Sequence, residues 1–381
     1  MKYLLILFII FWTQLFAQEV NYLGRSPRAL LMGDAYTAIA DDEFTLFYNP
    51  AGLGKNTGVS FTFLDPTLGI TDVLSELNRF SNFPSGATAA PAIASRLMDL
   101  PIYLQAGIFP NLKMGPFGFT LFANNKSSFV LRNSTNPELD INYNYDRGFI
   151  VGFAYNVGSG AFSTKESRGG KSSTSAGDRF SIGGAFKHMN RQGINNHFDF
   201  FGTTLLSKIT AGVSDIAALK SALGYSIGSA WGYDLGAEYA ISSGDTTFTS
   251  AFSVLDIGDS HFTKSEGTVD VPSQEMMVNS GVAFKQDFGL FDYTLSADMH
   301  PMTGMTDFAR KFHFGAEVSL PLLTIDGGWS EGYLSYGVSI KLWPIKLTTG
   351  FYGVEVGSRF REQQAKRFIL YLSLFDFSID L

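Results

Sequence analysis

The 381-residue chain contains no cysteine. Disulfides, thiolate metal sites and a lipid-modified N-terminal cysteine are therefore excluded. Charge is scarce as well: Asp, Glu, Lys and Arg make up 17% of the residues, against about 25% in soluble domains. A net charge of −7 argues against a nucleic-acid partner. Beyond the first 17 residues, no run approaches the ~20 consecutive apolar positions of a membrane helix. The five histidines fall at no spacing that suits a metal, so neither metal nor cofactor is expected.

What is present is apolar and aromatic. Apolar residues make up 45% and aromatics 15%, with 36 Phe and 40 Gly. Few charges, many rings and no membrane helix together predict an all-β fold: a transmembrane antiparallel β-barrel of about 14 strands. Its lipid-facing side chains occupy alternate positions, so no long hydropathy peak arises. The opening MKYLLILFIIFWTQLFAQEV places Lys2 before an apolar run at 3–12 and a small residue, Ala17. That layout predicts a signal peptide over 1–17, hence export and, for a barrel, the outer membrane.

Period-two alternation is the informative signal. In FHFGAEVSL, Phe312, Phe314, Ala316 and Val318 fall on one face, and His313, Gly315 and Glu317 on the other. YDLGAEYAI sets Tyr233, Leu235 and Tyr239 against Asp234, Gly236 and Glu238. DYTLSADMH and LSYGVSIKL behave alike. Strands are expected near 58–64, 101–109, 115–124, 147–157, 178–189, 230–241, 246–257, 275–288, 290–300, 310–320, 322–330, 332–342, 345–356 and 366–378. Connections alternate in length, as a barrel requires. Tight turns are expected at 111–114, 242–245, Gly289, Pro321 and 343–344. Long extracellular loops are expected at 65–100, 125–146, 190–229 and 258–274. The last strand shifts phase after Leu374, which a bulge would explain.

Residues 18–57 are too polar for the wall and read as a folded N-terminal hatch, or plug, ahead of a barrel over 58–381. Here SPRALLMGDAYTAIADDEFTLFYNPAGLG resembles the hatch of the FadL-type outer-membrane transport family. Asn49, Pro50 and Ala51 match that family's Asn-Pro-Ala motif. Gly33, Asp41, Asp42 and Gly52 extend the glycine and acidic pattern, and the resemblance marks these seven as hatch and gating residues. It also implies a fourteen-stranded barrel that takes up hydrophobic molecules such as long-chain fatty acids. Later runs, from DRFSIGGAFKH to TFTSAFSVLDIG, resemble the PorV branch, which implies the alternative of docking exported proteins for a secretion system.

No enzyme is expected. Gly258-Asp259-Ser260 matches one esterase block, but His261 points away from Ser260 on an extended chain. Asp234, Glu238, Asp292, Asp298, His300, His313, Glu317 and Lys341 are read as an inward-facing polar network that satisfies its own charges. Apolar residues at helical spacing, Leu74, Leu77 and Phe80 in the first long loop and Leu205, Leu206, Ile209, Val213 and Ile216 in another, are candidates for binding a hydrophobic small molecule. Outer-membrane lipid is the other expected partner.

Overall fold

The computed structural model describes residues 19–81, 90–133, 135–157, 177–199, 216–304 and 307–379. The signal peptide expected over 1–17 lies outside them. Fourteen antiparallel strands close into a single barrel. β1 runs Val59–Leu64 and resumes as Thr67–Thr71, and β2 runs Ile102–Ile108 and resumes as Asn111–Met114. They are followed by β3 (Phe117–Arg132), β4 (Glu138–Val157), β5 (Gly177–Asp199), β6 (Ser226–Ser243), β7 (Thr246–Leu255) and β8 (Met277–Asp287). β9 (Asp292–Met299), β10 (Phe312–Ser319), β11 (Leu323–Ser330), β12 (Tyr333–Leu342), β13 (Ile345–Glu355) and β14 (Gln364–Ile379) complete the wall. β14 pairs with β1, from Val59 opposite Ile379 to Thr71 opposite Arg367, so no edge is left open.

The wall's two faces differ as the alternation requires. Along β6, Trp231, Tyr233, Leu235, Tyr239 and Ile241 are exposed on the outside, while Asp234 and Glu238 are each 1% exposed. The apolar belt from Trp231 to Ile241 spans ten residue steps; at ~3.3 Å per step and ~40° tilt this is about 25 Å, the height of a barrel's lipid band. Among the described residues, no helix is long and apolar enough to cross a membrane. The strands alone form the transmembrane wall.

Five expected segments need correction. The expected loop 125–146 is mostly strand, because β3 and β4 continue until only 133–137 connects them. Likewise β5 extends to Asp199 and β6 starts at Ser226, shrinking the loop expected over 190–229. Above the belt the outward positions turn polar (Asn125 and Ser127 on β3, Asn190 and Gln192 on β5), so the apolar alternation stops although pairing does not. The loop 65–100 also yields the second half of β1, and 258–274 contains a short strand, Thr263–Glu266, added to β6. The turn placed at 111–114 is strand, and the reversal falls at Gly115-Pro116.

β1 breaks at Asp65-Pro66 beside the break of β2 at Phe109-Pro110. Each proline removes a ladder donor, and the Asp65 carboxylate accepts the Phe109 N–H at 2.6 Å in the gap. The phase shift expected near Leu374 is present, but not as a bulge: Phe375 has φ of +60°, Leu374 and Phe375 both face outward, and the pairing with β1 keeps one register on either side. β1 shifts at the same level, where Leu64 opposes Leu374.

Candidate functional site

Residues 23–54 lie inside the barrel, and most are buried. Their local structure follows from capping. Ser26 caps the short helix Pro27–Leu31 by accepting from Ala29 N, with Pro27 at the first position. Gly33, at φ +64°, turns the chain away from it. Asn49 then caps a 3₁₀ helix, Pro50–Lys55: its Oδ1 accepts from Ala51 N at 3.0 Å, and Pro50 supplies a residue with no N–H to satisfy. Asn-Pro-Ala is thus a helix start whose donors are settled internally, and the helix delivers the chain to β1.

Two arcs of the wall hold this segment by different means. On β3 to β6 the contact is steric. A Cβ built on Gly236 would lie 2.0 Å from Asn49 Oδ1, and one on Gly183 would lie 2.4 Å from Ala51 N and Pro50 C. Glycine is required at both positions, because the backbone of the motif sits where a side chain would stand. Leu46 and Leu53, each 1% exposed, fill the space over Gly118 and Gly152. Such burial contributes roughly 1.5–3 kcal/mol per side chain. Gly52 packs on Ala40 O, where a Cβ would approach to 2.4 Å.

On β9 to β11 close approach at glycine recurs, a Cβ on Gly328 lying 2.2 Å from Gly33 N and one on Gly315 2.5 Å from Met32 O, but polar contacts are added to it. Asp298 Oδ2 accepts from Tyr36 N at 2.8 Å and Thr37 N at 2.6 Å. Arg28 forms a two-pronged pair with Glu317, with Nη2 2.8 Å from Oε1 and Nε on Oε2. It also reaches Asp41 Oδ1 at 2.7 Å. His300 Nε2 lies 2.8 Å from Asp34 O, and His313 Nδ1 lies 3.0 Å from Gly33 O. The two imidazoles stack at 3.8 Å and 7°. Burial, then the charge of His313, pushes the His300 pKa down to about 3, so His300 is neutral at physiological pH.

Of the eight residues expected in the inward network, six are buried. Asp298, His300, His313 and Glu317 contact the N-terminal segment directly. Glu238 joins them through Lys55, 2.8 Å away, and pairs with Arg179 at 2.5 Å. Asp234 instead binds Lys187 at 2.9 Å, which also reaches Asp256, bridging wall and connection. Asp292 and Lys341 depart from the expectation. Both still face inward, but they sit at the short-turn end and are less buried, Asp292 3.5 Å from Lys285 and Lys341 exposed. Asp42 accepts from Ser26 Oγ at 2.7 Å, and Lys113 Nζ donates to the carbonyls of Asp41 and Asp42.

Sequence reading missed the cationic half of these contacts, Arg28, Lys55 and Lys113, and the ties of Glu43 to Tyr371 and Lys346. It also missed Glu19, which Arg367 binds at 2.7 and 2.6 Å. The available signal was glycine on the polar face of several strands, at Gly183, Gly236, Gly315 and Gly337.

The apolar candidates are less concentrated. Leu74, Leu77 and Phe80 are 71%, 56% and 37% exposed on the first long connection. Leu205, Leu206, Ile209 and Val213 lie outside the described residues. Ile216 begins the helix Ile216–Leu223. At the esterase-like block, Ser260 Oγ donates to Asp256 Oδ1 at 2.8 Å, joining the Lys187 cluster, and His261 is exposed.

No family model and no curated protein sequence matches the chain. Solved structures do. A "CymD monoaromatic hydrocarbon channel" is similar at TM-score 0.51 and 10% identity, over 95% of this chain and 99% of that one. A "TodX deltaS2S3 mutant monoaromatic hydrocarbon channel" is similar at TM-score 0.50 and 11% identity, over 94% and 99%. The chain therefore has the fold of FadL-type hydrocarbon channels, while nothing in these likenesses distinguishes the PorV branch.

Proposed function

We propose that this barrel is an outer-membrane channel for passive uptake of hydrophobic small molecules, with long-chain fatty acids as one candidate class, and that residues 18–57 act as its hatch. The observation that carries the reading is the occupied interior. A barrel for hydrated solutes needs an open polar bore, whereas this one is filled by its own N-terminal segment from β2 round to β14. A solute that prefers lipid to water does not need such a bore. The fold likeness to hydrocarbon channels supports the same reading. On it, exposed Leu74, Leu77 and Phe80 first meet the solute, and displacement of Asn49-Pro50-Ala51 from Gly183 and Gly236 opens the path.

The test is uptake of tritiated oleate by liposomes that enclose serum albumin and carry the purified protein. Uptake faster than in protein-free liposomes, with labelled glucose excluded and the rate altered by Pro50→Ala combined with Gly236→Val, is expected. Rates equal to protein-free liposomes would overturn the transport reading. A stoichiometric exported protein retained through purification would favour docking instead.

A further inference from the structure

A second feature lies on the opposite side of the wall from the hatch. At the long-connection end of β12, β13 and β14, the segment 72–75 leans over the outer face and encloses a crevice of about 600 Å³. That size falls within the roughly 300–1,000 Å³ of small-ligand sites. Its floor is aromatic. Tyr336 opposes Phe351 and Phe351 opposes Phe368 across three strands, with ring centroids 5.8 and 5.3 Å apart. Leu74 and Leu334, 71% and 72% exposed, flank it.

Its upper rim is cationic. Lys366 is the outward residue one step above Phe368 on β14, and the stem of Arg361 lies over Gly332, where a Cβ would meet Arg361 Cγ at 2.5 Å. Both cations line the crevice. Among the described residues, neither has a carboxylate oxygen within 4.0 Å. Asp72 also lines it, but its Oδ1 accepts from Ser75 N at 3.3 Å. An aromatic strip continuous with the lipid-facing belt, ending under two cations against one carboxylate, a net positive rim at the interface, matches one chemistry: an acyl chain below a negative headgroup.

We propose that this crevice is a binding site for a membrane phospholipid with an anionic headgroup, the acyl chain lying along Tyr336 and Phe351 and the headgroup held between Lys366 and Arg361. The occupant is a lipid of the surrounding bilayer, because the floor opens sideways onto the belt and not into the lumen. The inference is independent of what the channel carries.

Native mass spectrometry of the full-length, detergent-purified barrel tests it, with dioleoylphosphatidylglycerol and dioleoylphosphatidylcholine as probes. One phosphatidylglycerol per barrel is expected, bound at least roughly tenfold more tightly than phosphatidylcholine. The exposed-side substitutions Lys366→Gln and Arg361→Gln together should weaken it by about tenfold or more, with the heat-modifiable mobility of the folded barrel unchanged. Tyr336→Ala should weaken both lipids alike. Equal retention of the two lipids, unchanged binding in the double variant, or displacement of phosphatidylglycerol by equimolar oleate would overturn the assignment.

Discussion

The arc β3 to β6 and the arc β9 to β11 grip the same N-terminal segment, yet what each adds to glycine close packing differs. The first uses 16- to 23-residue strands, missing side chains at Gly183 and Gly236, and aliphatic packing at Leu46 and Leu53. The second uses 8-residue strands that add, to close approach at Gly315 and Gly328, the charges and imidazoles of Asp298, His300, His313 and Glu317. Close packing is indifferent to pH and salt and intolerant of volume. Buried ion pairs and histidines tolerate small changes of volume but not the loss or gain of a charge. A segment held in both ways is fixed in position by one arc and made responsive to conditions by the other.

The largest effect should come from the polar arc. Glu317→Ala leaves the half-buried Arg28 guanidinium with exposed Asp41 and the Tyr36 hydroxyl as its remaining partners, and should weaken retention of the segment by about 3–5 kcal/mol, read as faster proteolysis near residues 26–54 while the wall stays intact. Next, Gly183→Val on the steric arc should cost about 1–3 kcal/mol through overpacking against Pro50 and Ala51, and this loss should be the same at pH 5 and pH 8. An Asn49→Ala change should cost roughly 0.5–2 kcal/mol, the value of a helix cap.

Acid should separate the arcs. His300 has a folded pKa lowered to about 3 from an ordinary value near 6.5. The released segment therefore leaves a histidine that takes up a proton the closed form refuses. Between about pH 6.5 and pH 3, closure is favoured by rising pH and lost progressively as pH falls. The groups that face His300 are His313, Asp34, Arg25 and Tyr22. His300→Gln should flatten the pH dependence of hydrogen exchange over residues 33–37. The smallest effect is expected at Lys341→Gln, within about 0.5 kcal/mol, since that side chain stands at the open end and touches neither arc.

The same contrast explains how much was legible in the sequence. The short strands β9 to β13 lie almost wholly within the lipid band, so alternation such as FHFGAEVSL marked their faces and nearly their ends. The tall strands β3 to β6 rise out of the band, where water meets the outward face and residues there, such as Asn125 and Asn190, are as polar as their inward neighbours Asn124 and Arg191, so no periodic signal remains. Candidate residues followed a similar rule. Inward acids were readable because a charge on an alternating strand stands out. Their partners Arg28 and Lys55 belong to a segment without periodicity, and only folding brings Lys55 to Glu238 across the interior. The inward glycines were visible as letters on the polar face, but their meaning required knowing what lay against them.

Hydrogen exchange of the purified full-length barrel, followed by mass spectrometry over residues 49–53, tests the occupied interior most directly. The account predicts amides protected on the same timescale as strands β5 and β6, with protection lost in Gly236→Val while the strands remain protected. Exchange in the wild-type protein as fast as that of the exposed 72–76 connection would contradict it.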